Sequence, residues 1–286
     1  MKTIEDYRLH EDNIPELSVI MGVYFRRENT SMLKRSVQSI LMQTFDDFEF
    51  LICDDGSSQE AISLLNDLAF SDSRIKLLRE GTKFTLPQKL NHCLKFAQGR
   101  YIARMDDDDY SLPNRFEKQL NFLHIHSDVD FVGCNVILVR DGVNTGHRNL
   151  PGYPTKEDFQ FVQPYIHPTI IFKKTAIDTI GGYSEDKRQV LCEDYDLLLR
   201  LYEKGFRGSN LQEYLFEYTL PSKGKSSRKF RHRVNEAITR WERFKALNML
   251  PKALPYVVKP LIVGLIPASQ LEKLKEHREM RQNKRV

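Results

Sequence analysis

The run Tyr101-Ile-Ala-Arg-Met-Asp-Asp-Asp-Asp109 sets four consecutive carboxylates directly behind a short apolar stretch with strand character. Like charges this close repel and raise one another's pKa unless a cation neutralises them. Folding alone does not ask for such a run, and the C-terminal end of a strand is where an open α/β sheet binds its ligands. Hard oxygen donors of this kind suit a divalent metal with a phosphate-bearing substrate on its far side. The same residues also read as a solvated acidic turn in which Asp109 or Ser111 caps the next helix. A second acidic pair, Glu193-Asp194, opens a predicted helix, whose N-terminus stabilises negative charge. Alone it is an ordinary first-turn pair; sharing a crevice with the aspartate run, it becomes a candidate for chemistry.

The elements that must position these groups follow an alternating pattern. Leu17–Val23 reads as a buried strand, and Ser31 is placed to cap a helix whose apolar positions Leu33, Val37, Ile40 and Leu41 share one face. Phe48–Cys53 is a second strand, running into Asp54-Asp55-Gly56-Ser57-Ser58, where Gly56 turns the chain and Ser57 or Ser58 caps a helix over Ala61–Phe70. Arg74–Leu78 is a short strand, Leu86–Ala97 a helix, and Tyr101–Met105 the strand that feeds the aspartates. Strand and helix alternating in this way predict a parallel sheet with helices on both faces. The ends at Tyr24, Asp54 and Asp106 should then converge on one edge, bringing an aromatic ring, an acidic pair and the four aspartates around one crevice.

Beyond the aspartates, Pro113 opens a helix through His124, and Val129–Val139 is a strand or hairpin turning at Asp141-Gly142, followed by a loop-rich stretch to Gln163. Pro168–Phe172 is a strand candidate, Gly181-Gly182 breaks the chain, Glu193–Lys204 is a helix ended by Gly205, and Tyr214–Leu220 is a final strand. After Pro221 three helical segments are expected, near Ser227–Asn248, Leu254–Ile266 and Ser269–Gln282. No Gly-rich phosphate loop is present, so a diphosphate would have to be neutralised by other means.

The 286 residues, 41% of them hydrophobic, suffice for one large domain or a domain with an appendage. Four cysteines lie far apart with no paired spacing, as expected of reduced, buried thiols in the cytoplasm. Met1–Glu16 shows no secretory pattern, and no apolar stretch is long enough to span a membrane. The net charge of +4 conceals an asymmetry: Lys223–Val286 holds 17 Lys/Arg against 5 Asp/Glu, while the remainder is net acidic. An anionic partner is expected for that tail. Within it, Leu254–Ile266 is apolar, too short to span and flanked by basic residues, which suits a segment lying in the membrane interface or a helix packed on the catalytic core.

Six stretches in fixed order carry a resemblance: Ser18–Tyr24, Ser39-Ile-Leu-Met-Gln-Thr-Phe45, Cys53–Ser58, Tyr101–Asp109 with Leu112-Pro-Asn-Arg115, His167-Pro-Thr169, and Cys192–Arg200. Together the chain resembles family 2 glycosyltransferases with a GT-A fold, of the bacterial polysaccharide-assembly type. The resemblance covers about Leu17 to Leu220. It implies an α/β, Rossmann-like, mixed but mostly parallel sheet flanked by helices. The catalytic domain would be residues 1–222, with a nucleotide-binding half over 17–110 and an acceptor half over 111–222. Residues 223–286 would form a helical, basic C-terminal extension.

The same resemblance implies the site. Asp54 would hold the uracil edge with Tyr24 beside the base. Asp106 and Asp108 match the DxD motif and would contact the ribose and a Mn²⁺ or Mg²⁺ on the diphosphate, with Asp55 and Asp107 beside them on the nucleotide-sugar. Asp194 would be the catalytic base, and His167 and Glu193 would lie on the acceptor side. The activity implied is inverting, metal-dependent transfer of one sugar, from a UDP-hexose, to a polyprenyl-diphosphate-linked saccharide in capsule, exopolysaccharide or O-antigen synthesis. The enzyme would work in the cytoplasm at the inner face of the membrane, with the basic tail in peripheral contact and no nucleic-acid partner. Sugar nucleotidyl transfer and non-catalytic nucleic-acid binding are the competing readings.

Three departures from the family pattern stand out. Gly22 occupies a position where many relatives have Pro or Thr, a change expected to matter little. No histidine follows the last core strand in Thr219–Lys225, so Lys223 or Lys225 would contact phosphate instead. Ala237-Ile-Thr-Arg-Trp241 keeps Arg-Trp but lacks the Gln of the processive QxxRW motif, which points to addition of a single sugar.

Overall fold

The computed structural model describes residues 14–26, 29–79, 83–189, 191–222, 229–266 and 270. The expected helix at Ser269–Gln282 and the lysines Lys223 and Lys225 lie outside the described residues, apart from Gln270. In chain order the elements are β1 (Leu17–Val23), α1 (Ser31–Leu41), β2 (Phe48–Asp54), α2 (Gln59–Ser71), β3 (Ile75–Leu78), α3 (Leu86–Phe96), β4 (Tyr101–Arg104), β5 (Tyr110–Ser111), α4 (Arg115–Ile125), β6 (Phe131–Arg140), β7 (Val143–Arg148), β8 (Ile171–Lys173), α5 (Lys174–Thr179), α6 (Glu193–Glu203), β9 (Gly208–Thr219), α7 (Phe230–Ala246) and α8 (Leu254–Leu265).

Among the described residues, nine strands form one mixed sheet in the order β3-β2-β1-β4-β8-β6-β9-β5, with β7 paired to β6. The first four are parallel to their neighbours. Strand β8 then runs antiparallel between β4 and β6. Chain order reverses between β1 and β4, which makes their C-terminal ends the switch point where such sheets open a crevice.

Side-chain alternation sorts these strands into two cores. Val19, Met21, Val23, Phe50 and Ile52 face one side with Leu33, Val37 and Ile40 of α1 and Ala61 and Leu65 of α2. Ile20, Leu51 and Cys53 face the other, with Leu90 and Cys93 of α3. Residues two apart share a strand face, so each strand feeds both layers. Each fully buried leucine or valine here contributes roughly 1.5–3 kcal/mol of transfer free energy. All four cysteines are buried, and none forms a disulfide. Gly22 lets α3 approach closely: a Cβ there would lie 3.0 Å from Leu86 Cδ1 and 3.1 Å from Lys89 Cβ. A larger residue at position 22 would press on the helix that carries Lys89.

Several local expectations change. Thr30, not Ser31, is the N-cap of α1; Ser31 is its first helical residue, and its N–H donates to Asn29 Oδ1 at 3.0 Å. Ser58 caps α2 through Ala61 N–H. Neither Asp109 nor Ser111 caps α4: Asn114 holds that position, Asp109 takes Thr219 N–H at 2.7 Å, and Ser111 Oγ takes Arg115 Nε at 2.7 Å. The hairpin turn at Asp141-Gly142 forms with φ of 51° and 80°. Its second strand, β7, occupies part of the stretch read as loop. The strand candidate at Pro168–Phe172 begins only at Ile171, because His167–Thr169 coils into a 3₁₀ turn.

Helices α7 and α8 pack on the body. Phe244, Leu247, Met249, Ala253 and Val257 join the core on the α3 face. Arg240 donates to Phe159 O and Gln160 O, and Arg243 Nε donates to buried Asp196 Oδ1 at 2.8 Å while Arg200 Nε donates to its Oδ2 at 2.7 Å. Asp196 thus ties α6 to α7. Removing its charge leaves two arginines facing a neutral amide in a largely desolvated site. Asp196→Asn is expected to lower stability by about 3 kcal/mol, the low end for a broken buried pair, since both arginines are partly exposed. A urea midpoint unchanged from the parent would show that the pair does not hold α7 in place.

Candidate functional site

The crevice at the switch point is built from the ends of β1, β2 and β4. Asp54, the last residue of β2, is buried; its carboxylate takes Ser57 N–H at 3.1 Å and lies 3.4 Å from Arg79 Nε. Asp55 pairs with Lys89 Nζ at 2.5 Å and also accepts Phe84 N–H. Lys89, almost wholly buried on α3, reaches across to Val23 O at 2.6 Å. Tyr24, just past β1, is exposed, and its ring is flanked by Arg26 at 4.5 Å, Lys89 at 5.0 Å and Lys83 at 5.6 Å. A phosphate-bearing ligand in this crevice meets positive charge without a Gly-rich loop. The cations Arg26, Arg79, Lys83 and Lys89 escaped the sequence reading. Lys89 had left a signal, a lysine on the apolar stripe of Leu86, Leu90 and Cys93.

After β4 the four aspartates diverge. Asp106 is partly exposed; its carboxylate is gripped by the Arg104 guanidinium, and its carbonyl takes Ser36 Oγ–H at 2.7 Å. Asp107 is pushed up to about 7 by burial and by the charges of Asp108 and Asp106, with a hydrogen bond from the Tyr24 backbone opposing. The carbonyl of Asp108 accepts Thr219 Oγ1–H at 2.6 Å. Burial and the charges of Asp106 and Asp108 raise Asp109 well above the carboxylate range, and its buried Oδ2 has no hydrogen-bond donor.

Fully ionised, such a cluster would hold more negative charge than Arg104 neutralises. Hard carboxylate oxygens at a partly exposed strand end fit a divalent cation. Among the described residues, no three His, Cys, Asp or Glu side chains are grouped to hold one. A cation at this strand end would therefore have fewer than three such protein side chains around it.

The second acidic pair lies at the N-terminus of α6. Asp194 is half-buried; Oδ2 takes Gln163 Nε2–H at 3.0 Å and Oδ1 takes Tyr195 N–H at 2.8 Å. Leu191, just before the helix, has a φ of 65°, a left-handed conformation that costs a leucine on the order of 1 kcal/mol. The backbone N–H groups of residues 191–193 hydrogen-bond the Glu193 carboxylate, so it is drawn over its own loop. Burial and the neighbouring Asp194 charge outweigh them and raise Glu193 to about 7.

That shift carries a stability consequence. Between about pH 4.5 and 7 the folded chain holds a proton at Glu193 that the unfolded chain has released, so this group's contribution falls as pH rises through the window. Glu193→Gln is expected to melt higher than the parent above pH 7, by a few degrees, with the advantage gone below pH 4.5. Melting curves across this range check the sign; a parent that gains on the variant with rising pH would contradict it.

Two tyrosines show that the acidic groups share one electrostatic neighbourhood. Tyr183 feels Arg104, Asp106, Asp194 and Glu193; Tyr218 feels Asp109, Asp106, Asp194 and Asp108. Both phenols are raised, chiefly by burial. His167 is buried behind them, its Nε2 2.8 Å from Tyr183 Oη, and burial with the nearby Arg104 charge holds it neutral, well below its usual range. The aspartate run and Glu193-Asp194 thus act on the same pair of tyrosines, Tyr24, Asp54 and Asp55 lie at the ends of β1 and β2 on the same sheet edge, and His167 is buried beside Tyr183. Tyr183, Tyr218, Arg104 and Gln163 were not singled out from sequence. An isolated tyrosine or glutamine carries no periodic signal, whether in a loop, as Tyr183 and Gln163 are, or in a strand, as Tyr218 is.

Comparison with known proteins agrees with this architecture. The sequence profile described as glycosyl transferase family 2 matches residues 18–180. A Bacillus subtilis (strain 168) protein, EpsE, is 37% identical over 94% of this chain and 96% of its own length. An Escherichia coli protein named UDP-Glc:alpha-D-GlcNAc-diphosphoundecaprenol beta-1,3-glucosyltransferase WfaP is 27% identical over 77% of this chain and 84% of its own. The solved structure of the mannosyltransferase PcManGT from Pyrobaculum calidifontis, in complex with GDP-Man and Mn²⁺, superposes with a TM-score of 0.60 at 17% identity. It covers 93% of this chain and 81% of that one, which shows a shared GT-A fold.

Proposed function

The chain belongs to glycosyl transferase family 2, and on that premise we propose that it transfers one hexose, with inversion, from a UDP-sugar to a lipid-linked saccharide acceptor in polysaccharide assembly. The observation that carries this reading is the meeting of two acidic groups around Tyr183 and Tyr218: an aspartate run at a strand end and a half-buried carboxylate at a helix N-terminus.

Each group has its task. Tyr24 and Asp54 receive the base at the ends of β1 and β2. Lys89, Arg26 and Arg79 supply positive charge beside the donor. Asp106 and Asp108 would hold a divalent cation, which when bound stabilises the negative charge of the departing diphosphate. Arg104 fixes the rotamer of Asp106. Asp194 accepts the proton of the acceptor hydroxyl as that oxygen bonds to the anomeric carbon and the bond to the diphosphate oxygen breaks on the opposite face. Gln163 Nε2–H and Tyr195 N–H donate to Asp194 and orient it for this. His167, Tyr183 and Glu193 form the wall on the acceptor side.

The acceptor is proposed as a polyprenyl-diphosphate-linked saccharide, as the name of the Escherichia coli relative states for that protein. The enzyme would then work at the inner face of the membrane, through peripheral contact, since no described helix is long and apolar enough to cross one. Donor class is tested by thermal shift with UDP, GDP, dTDP and CMP, each with and without Mn²⁺. A ligand that binds only the folded chain raises its melting temperature. A manganese-dependent shift with UDP alone is expected; a shift with another nucleotide instead would replace the donor.

A further inference from the structure

Helix α8 is apolar on nearly every side, yet only half of it is covered. Ala253, Val257 and Pro260 are buried against the body. Leu254, Val258, Ile262 and Leu265 are exposed, the last two at 59% and 75%. At 100° per residue these four fall within about 80° of arc, a continuous stripe along one side. Helices apolar all round are normally enclosed. The stripe does not stand alone. Phe161 and Val162 are also exposed, and their loop is fastened to α8: the Phe161 ring packs on Tyr256 at 5.0 Å, and Lys259 Nζ donates to Phe161 O at 2.9 Å. The next residue, Gln163, holds Asp194.

We infer that the α8 stripe, with Phe161 and Val162, seats on an anionic bilayer surface and presents the Asp194 side of the crevice to it. This rests on the lipid-linked acceptor reading and names the surface that serves it. Charge selects the occupant. Exposed Lys252 lies two residues before the stripe begins, and residues 223–286 hold 17 Lys/Arg against 5 Asp/Glu. Anionic headgroups complement that balance, with each basic residue near the surface worth about 1 kcal/mol. A second copy seated stripe to stripe about a two-fold axis would bring two such tails together, and like charge opposes it. A lipid carrier held in the bilayer then meets the protein beside the residue that holds the base, with no need to leave the membrane.

The test uses the full chain and vesicles of phosphatidylglycerol and phosphatidylcholine in equal parts, with phosphatidylcholine alone as control. The variants are Val258→Glu with Ile262→Glu, and separately Phe70→Glu, an exposed phenylalanine on α2 across the sheet. The parent and Phe70→Glu are expected to float with the anionic vesicles. The α8 double variant is expected to lose at least about ten-fold in partition while keeping its melting temperature and nucleotide shift. Flotation of the double variant equal to the parent overturns the proposal, leaving basic charge elsewhere as the contact. A parent that shifts with nucleotide but does not float also overturns it, with the donor reading intact. Loss of flotation in the double variant, in a protein that shifts with no nucleotide, supports the surface while the donor reading fails. If the double variant dissociates a dimer seen by light scattering of the parent, the stripe belongs to a second copy and the proposal falls.

Discussion

Replacing Asp194 by asparagine is expected to reduce sugar transfer by about 10²–10⁴-fold, the usual contribution of a positioned general base, while donor binding stays within about two-fold of the parent. The side chain keeps its shape and can still accept Tyr195 N–H, so the helix start should remain formed. What disappears is the group able to take a proton. The separation between kcat and donor affinity is the diagnostic, because a variant that merely disturbed the fold would lose both. Turnover is to be measured beside a donor titration by thermal shift. An asparagine enzyme that transfers at the parent rate would remove Asp194 as the base.

The second large effect is expected at Asp108. With Asp106 and Asp108 the only carboxylates proposed for the cation, Asp108→Asn should halve the protein's share of the ligands. It should weaken manganese-dependent nucleotide binding about 10²-fold or more, corresponding to a few kcal/mol of lost charge stabilisation. Manganese-independent binding through Tyr24, Asp54 and the surrounding cations should persist at its low level. Asp106→Asn should do more than match it, since it also frees buried Arg104 from its carboxylate. A manganese-dependent UDP shift that survives Asp108→Asn unchanged would sink the assignment of this residue to the cation.

Much of this molecule was legible before any coordinates. Leu17–Val23, Phe48–Cys53 and Tyr101–Met105 were visible because strands buried on both faces read as largely apolar runs, here interrupted by Ser18, Glu49 and Arg104. The convergence of Tyr24, Asp54 and Asp106 follows from parallel topology, which brings strand ends to one edge whatever lies between them. The structure departs where pattern has no hold. Val143–Arg148 pairs only at an edge, so its outward residues can be polar. β9 begins at Gly208, six residues before the apolar run, because Asn210 and Ser209 bury their polar side chains by bonding Pro151 O, Pro164 O and Gly152 O. The same limit applies at the site. Arg104 is buried against the partly exposed Asp106, and no local periodicity foretells a charge that is satisfied by a partner two residues on.

Asp196 has a bearing on how such enzymes can diversify. It sits two residues after Asp194 on α6, and one of its two arginine partners belongs to α7. A C-terminal segment that governed where the enzyme docks could be exchanged freely among paralogues if it were a detachable module. Here a graft lacking an equivalent of Arg243 would leave a buried aspartate half-neutralised two residues beyond Asp194. Recombination breakpoints near residue 222 should therefore be disfavoured, and Asp196 and Arg243 should be inherited as a pair.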